Sequence, residues 1–118
     1  MQQLTQQQIV NETLRGVCSA GGALVLTSNP RKGGGVLTLD VVSCRAVTAS
    51  AVATIELIQG PVVAGVHTLT LTNASSWYRT RLQVRVPSDW SVRVTFSAGG
   101  VSKLCEASIY GYVEYPDK

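Results

Sequence analysis

The chain has 118 residues, a formal net charge of +3 and only 14% charged residues, against about a quarter in an average soluble domain. That length holds one hydrophobic core and leaves no room for a second domain. No run of about 18 apolar residues occurs, which excludes a membrane-spanning helix, and a mild positive charge does not by itself make a nucleic-acid binder, which needs a clustered basic face.

The first residues, MQQLTQQQ, have neither a basic start nor the apolar run of a signal peptide, which predicts a protein made and kept in a cytoplasm or assembled there into something larger. Residues 1–22 differ from the rest: Gln2, Gln3, Gln6, Gln7 and Gln8 make a polar stretch whose apolar anchors are Leu4, Ile9, Val10 and Leu14. This segment is predicted to be an N-terminal arm, and 23–118 the folded domain. Residues 23–28 read as a strand closed by Asn29-Pro30, and Arg31-Lys32-Gly33-Gly34-Gly35 as a flexible loop.

From Val36 onward apolar and polar residues alternate between turn signals, the period of strands. Leu37, Leu39 and Val41 share one face of 36–42, and Ala53, Ile55 and Leu57 one face of 51–58. After Gln59-Gly60-Pro61, a strand over 66–72 turns Leu69 and Leu71 inward. Strands 80–86 and 90–96, joined by Pro87-Ser88-Asp89, read as an antiparallel hairpin with Leu82, Val84 and Val86 facing Trp90, Val92, Val94 and Phe96. A last strand over 104–114 sets Cys105, Ala107, Ile109 and Val113 on one face and Glu106, Ser108, Tyr110, Tyr112 and Glu114 on the other. About seven antiparallel strands without a convincing helix predict an all-β fold, a single β-sandwich with an N-terminal arm, and a jelly roll as its favoured variant.

Catalysis needs converging acid, base or nucleophile groups. One histidine and seven scattered carboxylates supply no such cluster, so no enzyme and no cofactor is expected. His67 is expected to be structural or exposed. Cys18, Cys44, Cys105 and His67 lack the close spacing of a metal site, and the three thiols are expected to be buried and reduced, with no essential disulfide. The glycine loop lacks the spacing of a phosphate-binding loop.

The surface is more informative. If 80–86 pairs with 90–96, alternation lines up Arg81, Gln83 and Arg85 beside Arg93, with Arg79 at the start of the row. Like charges side by side repel, so such a stripe calls for acidic partners. A solvated face, with pairing to Glu106 or Glu114 of the same chain, comes first, carboxylates of another protein next, and nucleic-acid phosphate last. Trp77, Tyr78, Tyr110 and Tyr112 offer large contact area with a polar handle, which suits an interface or a sugar site. With Leu4, Ile9 and Val10 of the arm, these residues form the candidate protein interface.

A short Gln-rich arm followed by a low-charge, Thr/Val/Ala-rich β domain over about 23–115 resembles the small virion proteins of tailed bacteriophages, above all capsid decoration (cement) proteins. The resemblance implies a homotrimer with a jelly-roll or barrel body, placed on the virion, whose arms grip the major capsid protein or another virion protein. No individual functional residue carries over. Neither membrane nor nucleic acid is expected as a partner, and residues 1–15 would then serve attachment and not folding. The alternative is a receptor- or carbohydrate-binding module of the head or tail-fibre kind, with Trp77, Tyr78 and the loop 73–76 stacked on a sugar.

Overall fold

The computed structural model describes residues 6–31 and 33–115. In chain order these form β1 (Gln6–Val17), β2 (Leu24–Thr27), β3 (Val36–Ala46), β4 (Ala51–Gln59), β5 (Val62–Leu71), β6 (Tyr78–Val86), β7 (Ser91–Ser97) and β8 (Leu104–Tyr115). Two four-stranded sheets result, ordered β1-β8-β3-β6 and β2-β7-β4-β5, and all their pairs are antiparallel. Strand 1 pairs with 8, 2 with 7, 3 with 6 and 4 with 5, the pattern of one long hairpin folded over on itself. Only β4 and β5 are consecutive neighbours in a sheet. This is an eight-stranded jelly roll, in which two sheets bury their inner faces against each other.

The alternation read from the sequence sets those inner faces. Leu39, Val42, Val86, Ile109 and Val113 of the first sheet and Ile55, Leu71, Val92, Val94 and Phe96 of the second are all buried to 1% exposure or less. At roughly 1.5–3 kcal/mol for each large side chain, this layer is the main source of stability.

The structure corrects three expectations. Residues 6–17, read as part of an arm, are a full strand of the first sheet: β1 pairs with β8 without interruption from Gln6↔Tyr115 to Val17↔Leu104. Val10 and Leu14 pack against the core, while Ile9, Asn11, Thr13, Arg15 and Val17 face solvent. The alternation was present but faint, because Glu12 and Gly16 share the inner face with those two. Leu4 lies outside the described residues.

Strands β6 and β7 do not form a hairpin. β6 pairs with β3 and β7 with β4 and β2, so Pro87-Ser88-Asp89 carries the chain from one sheet to the other. The connection is held by the Arg31 carbonyl, which accepts from Asp89 N at 2.8 Å and from Ser88 Oγ at 3.1 Å. Each strand still turns its apolar row inward, and those rows meet across the sandwich instead of side by side. Turn residues signal a reversal but not which sheet the chain enters next.

Finally, the ladder of β3 slips by one residue between Leu39 and Val41, a β-bulge at Asp40. Because side chains alternate, the extra residue flips every later one. Val42, Cys44 and Ala46 face the core, and Val41 pairs with Arg81 and Tyr110 on the outer side.

All three cysteines are free and buried, and Cys18 Sγ lies 3.5 Å from Cys105 Sγ, not from Cys44. Gly99 makes room for this pair, since a Cβ there would come 2.6 Å from Cys18 Sγ. Burial pushes the Cys44 thiol up to about 12, and burial followed by the contact with Cys18 does the same for Cys105. Their folded values lie above the usual 9.0, so the stability they confer is complete below about pH 9 and is lost as pH rises toward 12. Iodoacetamide at pH 8 is expected to label none of the three thiols in the native protein and all three in denaturant, and a reductant to leave Tm within a few degrees. Rapid labelling of the native protein would contradict this burial.

Candidate interface on the outer face of the first sheet

The register of β1, β8, β3 and β6 arranges the outer face of the first sheet as a grid. Thr13, Ser108, Ser43 and Arg79 form one row across the four strands; Asn11, Tyr110, Val41 and Arg81 the next; and Ile9, Tyr112, Thr38 and Arg85 a third. On the other side of the hydroxyl row, Arg15, Glu106 and Arg45 lie in register. The face therefore grades from an edge on β1 whose one charge, Arg15, is paired with Glu106, through tyrosines and hydroxyls, to an arginine edge on β6.

Charge on this face divides into a satisfied part and a free part. Glu106 is 5% exposed although it points outward, and it is covered by Arg45 at 2.6 Å and Arg15 at 3.6 Å. A buried carboxylate needs such company, because desolvating an unpaired ion costs several kcal/mol. Arg45 also lies over the Trp77 ring, 5.3 Å from its centroid, a cation–π stack that orients the indole. By contrast, Arg79, Arg81 and Arg85 are exposed and join no ion pair among the described residues. Glu106, a candidate counter-charge for them, is already committed.

Two shallow depressions adjoin at Arg79. One, of about 300 Å³, is lined by Thr13, Ser43, Trp77, Arg79 and Ser108. The other, of about 520 Å³, is lined by Asp40, Val41, Arg79, Arg81 and Tyr110. Guanidinium donors, hydroxyls and aromatic edges are the chemistry that receives carboxylates and amides of another chain.

Several residues singled out in the sequence lie elsewhere. Arg93 is on β7 of the second sheet, where its Nε donates to Glu56 Oε1 at 3.0 Å across the register pair Glu56↔Arg93. Tyr78 is an internal tie: its hydroxyl lies 2.6 Å from Thr72 Oγ1 and accepts from Asn73 N at 2.8 Å, which pins the start of the loop 72–77. Val10 belongs to the core margin. Arg79, Arg81, Arg85, Trp77, Tyr110, Tyr112 and Ile9 do share the outer face. Thr13, Ser43, Ser108, Asp40 and Arg45 were missed: alternation turns Thr13, Ser108 and Asp40 outward, the bulge at Asp40 turns Ser43 and Arg45 outward, and only the long-range register brings the five together. Arg31, beside the glycine loop, donates to the Asn29 carbonyl at 2.8 Å and pairs with Glu12 at 3.8 Å. It is thus not free for a phosphate. His67 is exposed on β5 of the other sheet, and among the described residues no three His, Cys, Asp or Glu converge as a metal site.

No protein-family model and no curated protein sequence matches the chain. Among solved structures it is similar to a chain in the structure of the Gx strain of infectious bursal disease virus, with 15% identity and a TM-score of 0.49 over 93% of this chain and 32% of that one. It is also similar to a pentameric capsid protein isolated from metagenomic phage sequences (11%, TM-score 0.47, 94% and 63%) and to a mutant of the family 29 carbohydrate-binding module CBM29-2 (15%, TM-score 0.37, 86% and 67%). The chain spans about a third of the length of the viral chain.

Proposed function

We propose that the chain is a structural protein of a virion, of the capsid decoration kind: it associates with itself, as a trimer, and seats on a major capsid protein through the outer face of the first sheet. The observation that carries this reading is the row Arg79, Arg81 and Arg85, which has no ion-pair partner among the described residues, at one edge of a face rich in hydroxyls and aromatics. A monomer in water gains little from aligning like charges, whereas an acidic partner gains specificity and speed of association from them. The fold fits, since eight-stranded jelly rolls recur in capsid and lectin domains, although fold alone does not assign function. No enzymatic role is part of the proposal, and the place of action is the virion.

The test reverses Arg79, Arg81 and Arg85 to Glu together. All three project from the side opposite Leu82, Val84 and Val86, so the purified variant should melt within a few degrees of the parent. Particles purified from producing cells should carry the parent chain at fixed stoichiometry, release it as salt screens the contact over about 8 Å or less, and lack the variant. Absence of the parent chain from particles, or undiminished incorporation of the variant, would overturn the proposal.

A carbohydrate-binding role has one observation in its favour: Trp77 is 43% exposed beside the hydroxyl row. Only one of its two aromatic residues remains available, because Tyr78 is committed to Thr72 and Asn73. A glycan array read against Trp77→Ala decides it.

A further inference from the structure

A strand at the rim of a sheet exposes a row of unpaired N–H and C=O groups, and folded proteins usually blunt such edges by shortness, bulges, proline or charge. The two sheets have four rims, β1, β6, β2 and β5. β2 is only four residues long. β5 follows Pro61 and slips register against β4 between Ile55 and Glu56. β6 slips against β3, holds Gln83 at a φ of 53° and carries Arg79, Arg81 and Arg85. β1 alone has no such device: it runs twelve residues without proline or bulge, in unbroken register with β8, and its two charged residues, Glu12 and Arg15, point to opposite faces.

The outer side of β1 also carries the two most exposed large apolar side chains among the described residues, Ile9 at 66% and Val17 at 60%. They stand symmetrically about Thr13, and all three share one face. We infer that β1 is a self-association edge: it pairs antiparallel with β1 of a second copy across a twofold axis at Thr13, joining the two first sheets into one continuous eight-stranded sheet.

Register selects this axis. Two antiparallel strands related by a twofold normal to the sheet keep their faces, so each residue opposes its mirror about the axis. With the axis at Thr13, Ile9 of each copy meets Val17 of the other, Asn11 meets Arg15, and the two Thr13 hydroxyls face each other. Apolar pairs and Thr–Thr pairs are favourable cross-strand neighbours. An axis at Glu12 would oppose two carboxylates, and one at Arg15 two guanidiniums. An axis at Asn11 sets Ile9 against Thr13, and one at Leu14 sets it against Ser19, so neither covers both apolar residues. The arginine edges on β6 fall at the two far ends of the joined sheet, free for the acidic partner proposed above. The twofold contact does not depend on that partner. It doubles whatever unit other contacts build, giving two chains, or six if a trimer forms.

The experiment uses the full purified chain alone. Sedimentation or light scattering at 10–100 µM should give an even number of copies, and Ile9→Lys with Val17→Lys should halve the mass or weaken association at least 100-fold while leaving thermal unfolding of the domain intact. A second readout does not rely on those variants: Thr13→Cys should cross-link to its symmetry mate under diamide, because directly opposed Cβ atoms lie about 4.5–5.5 Å apart. Asn11→Cys should not, since its mate is four residues along the strand, about 13 Å away. A monomeric or odd-numbered parent, a mass unchanged in the lysine variant, or equal cross-linking at both positions would overturn the inference. Loss of particle binding with the even assembly intact would count against the decoration role alone.

Discussion

Deleting residues 1–15 is expected to abolish cooperative unfolding, or to lower the urea midpoint by half or more. The deletion removes all but Gly16 and Val17 of β1. It strips Val10 and Leu14 from the core margin and turns β8, a central strand, into a rim paired with β3 alone. Two half-buried side chains are worth roughly 1–1.5 kcal/mol each. The uncovered inner face of β8, with Ile109 and Val113 at 1% exposure or less, and the lost ladder bring the cost to on the order of 5 kcal/mol against a typical total of about 5–15. Equilibrium urea unfolding of the truncated chain checks it. A midpoint close to that of the full chain would restore the reading of this segment as an arm that serves attachment only.

The same segment shows what was legible in the sequence and what was not. From β2 onward, strands were readable because Val, Ile and Leu alternate with Thr and Arg, and burial of every second residue is a local pattern that a short window reveals. β1 was obscured because its large apolar residues are split between the faces, Ile9 and Val17 outside and Val10 and Leu14 inside with Glu12 and Gly16, so that no clean alternation shows in a short window. Pairing was less readable than the strands themselves. Pro87-Ser88-Asp89 fits a hairpin and an inter-sheet arch equally well, and the choice is made by β3, about forty residues away in the chain, which covers β6.

That choice decides the candidate site. With β6 beside β7, Arg93 would have joined the arginine stripe; with β6 beside β3, Arg93 lies on the other sheet in a salt bridge to Glu56, and Arg79, Arg81 and Arg85 stand beside Ser43, Val41 and Thr38 instead. The parity of these residues was available from the sequence except beyond the bulge of β3, which turns Val41, Ser43 and Arg45 outward, and their neighbours were not available at all. Glu106 makes the point most sharply: alternation turns it outward, as expected, yet it is 5% exposed, because Arg15 and Arg45, from strands at opposite ends of the chain's first half, close over it.

The second large effect is expected at Gly111, and it tests the bulge on which the outer grid depends. Gly111 pairs with Val10 on one side and Leu39 on the other, next to the point where β3 slips register. A Cβ at this position would fall inside the contact radius of the Thr38 carbonyl oxygen, 3.1 Å from its carbon and 3.3 Å from Asp40 N. These are backbone atoms of a paired central strand, which cannot swing aside as a flexible side chain can. Gly→Ala at an ordinary strand position stabilises by about 0.4–1 kcal/mol, because it restricts the unfolded chain. Gly111→Ala is expected to do the opposite and cost on the order of 3 kcal/mol, at the upper end of overpacking, and Gly111→Val more. Gly65, an exposed residue of β5 with nothing within 4 Å of its added Cβ, is the control, and Gly65→Ala should be neutral or slightly stabilising. Urea midpoints of the two alanine variants give the comparison. If Gly111→Ala proves as harmless as Gly65→Ala, β3 does not approach β8 at Asp40, the side chains after it are not flipped, and Val41 belongs to the core instead of standing between Tyr110 and Arg81 on the outer face.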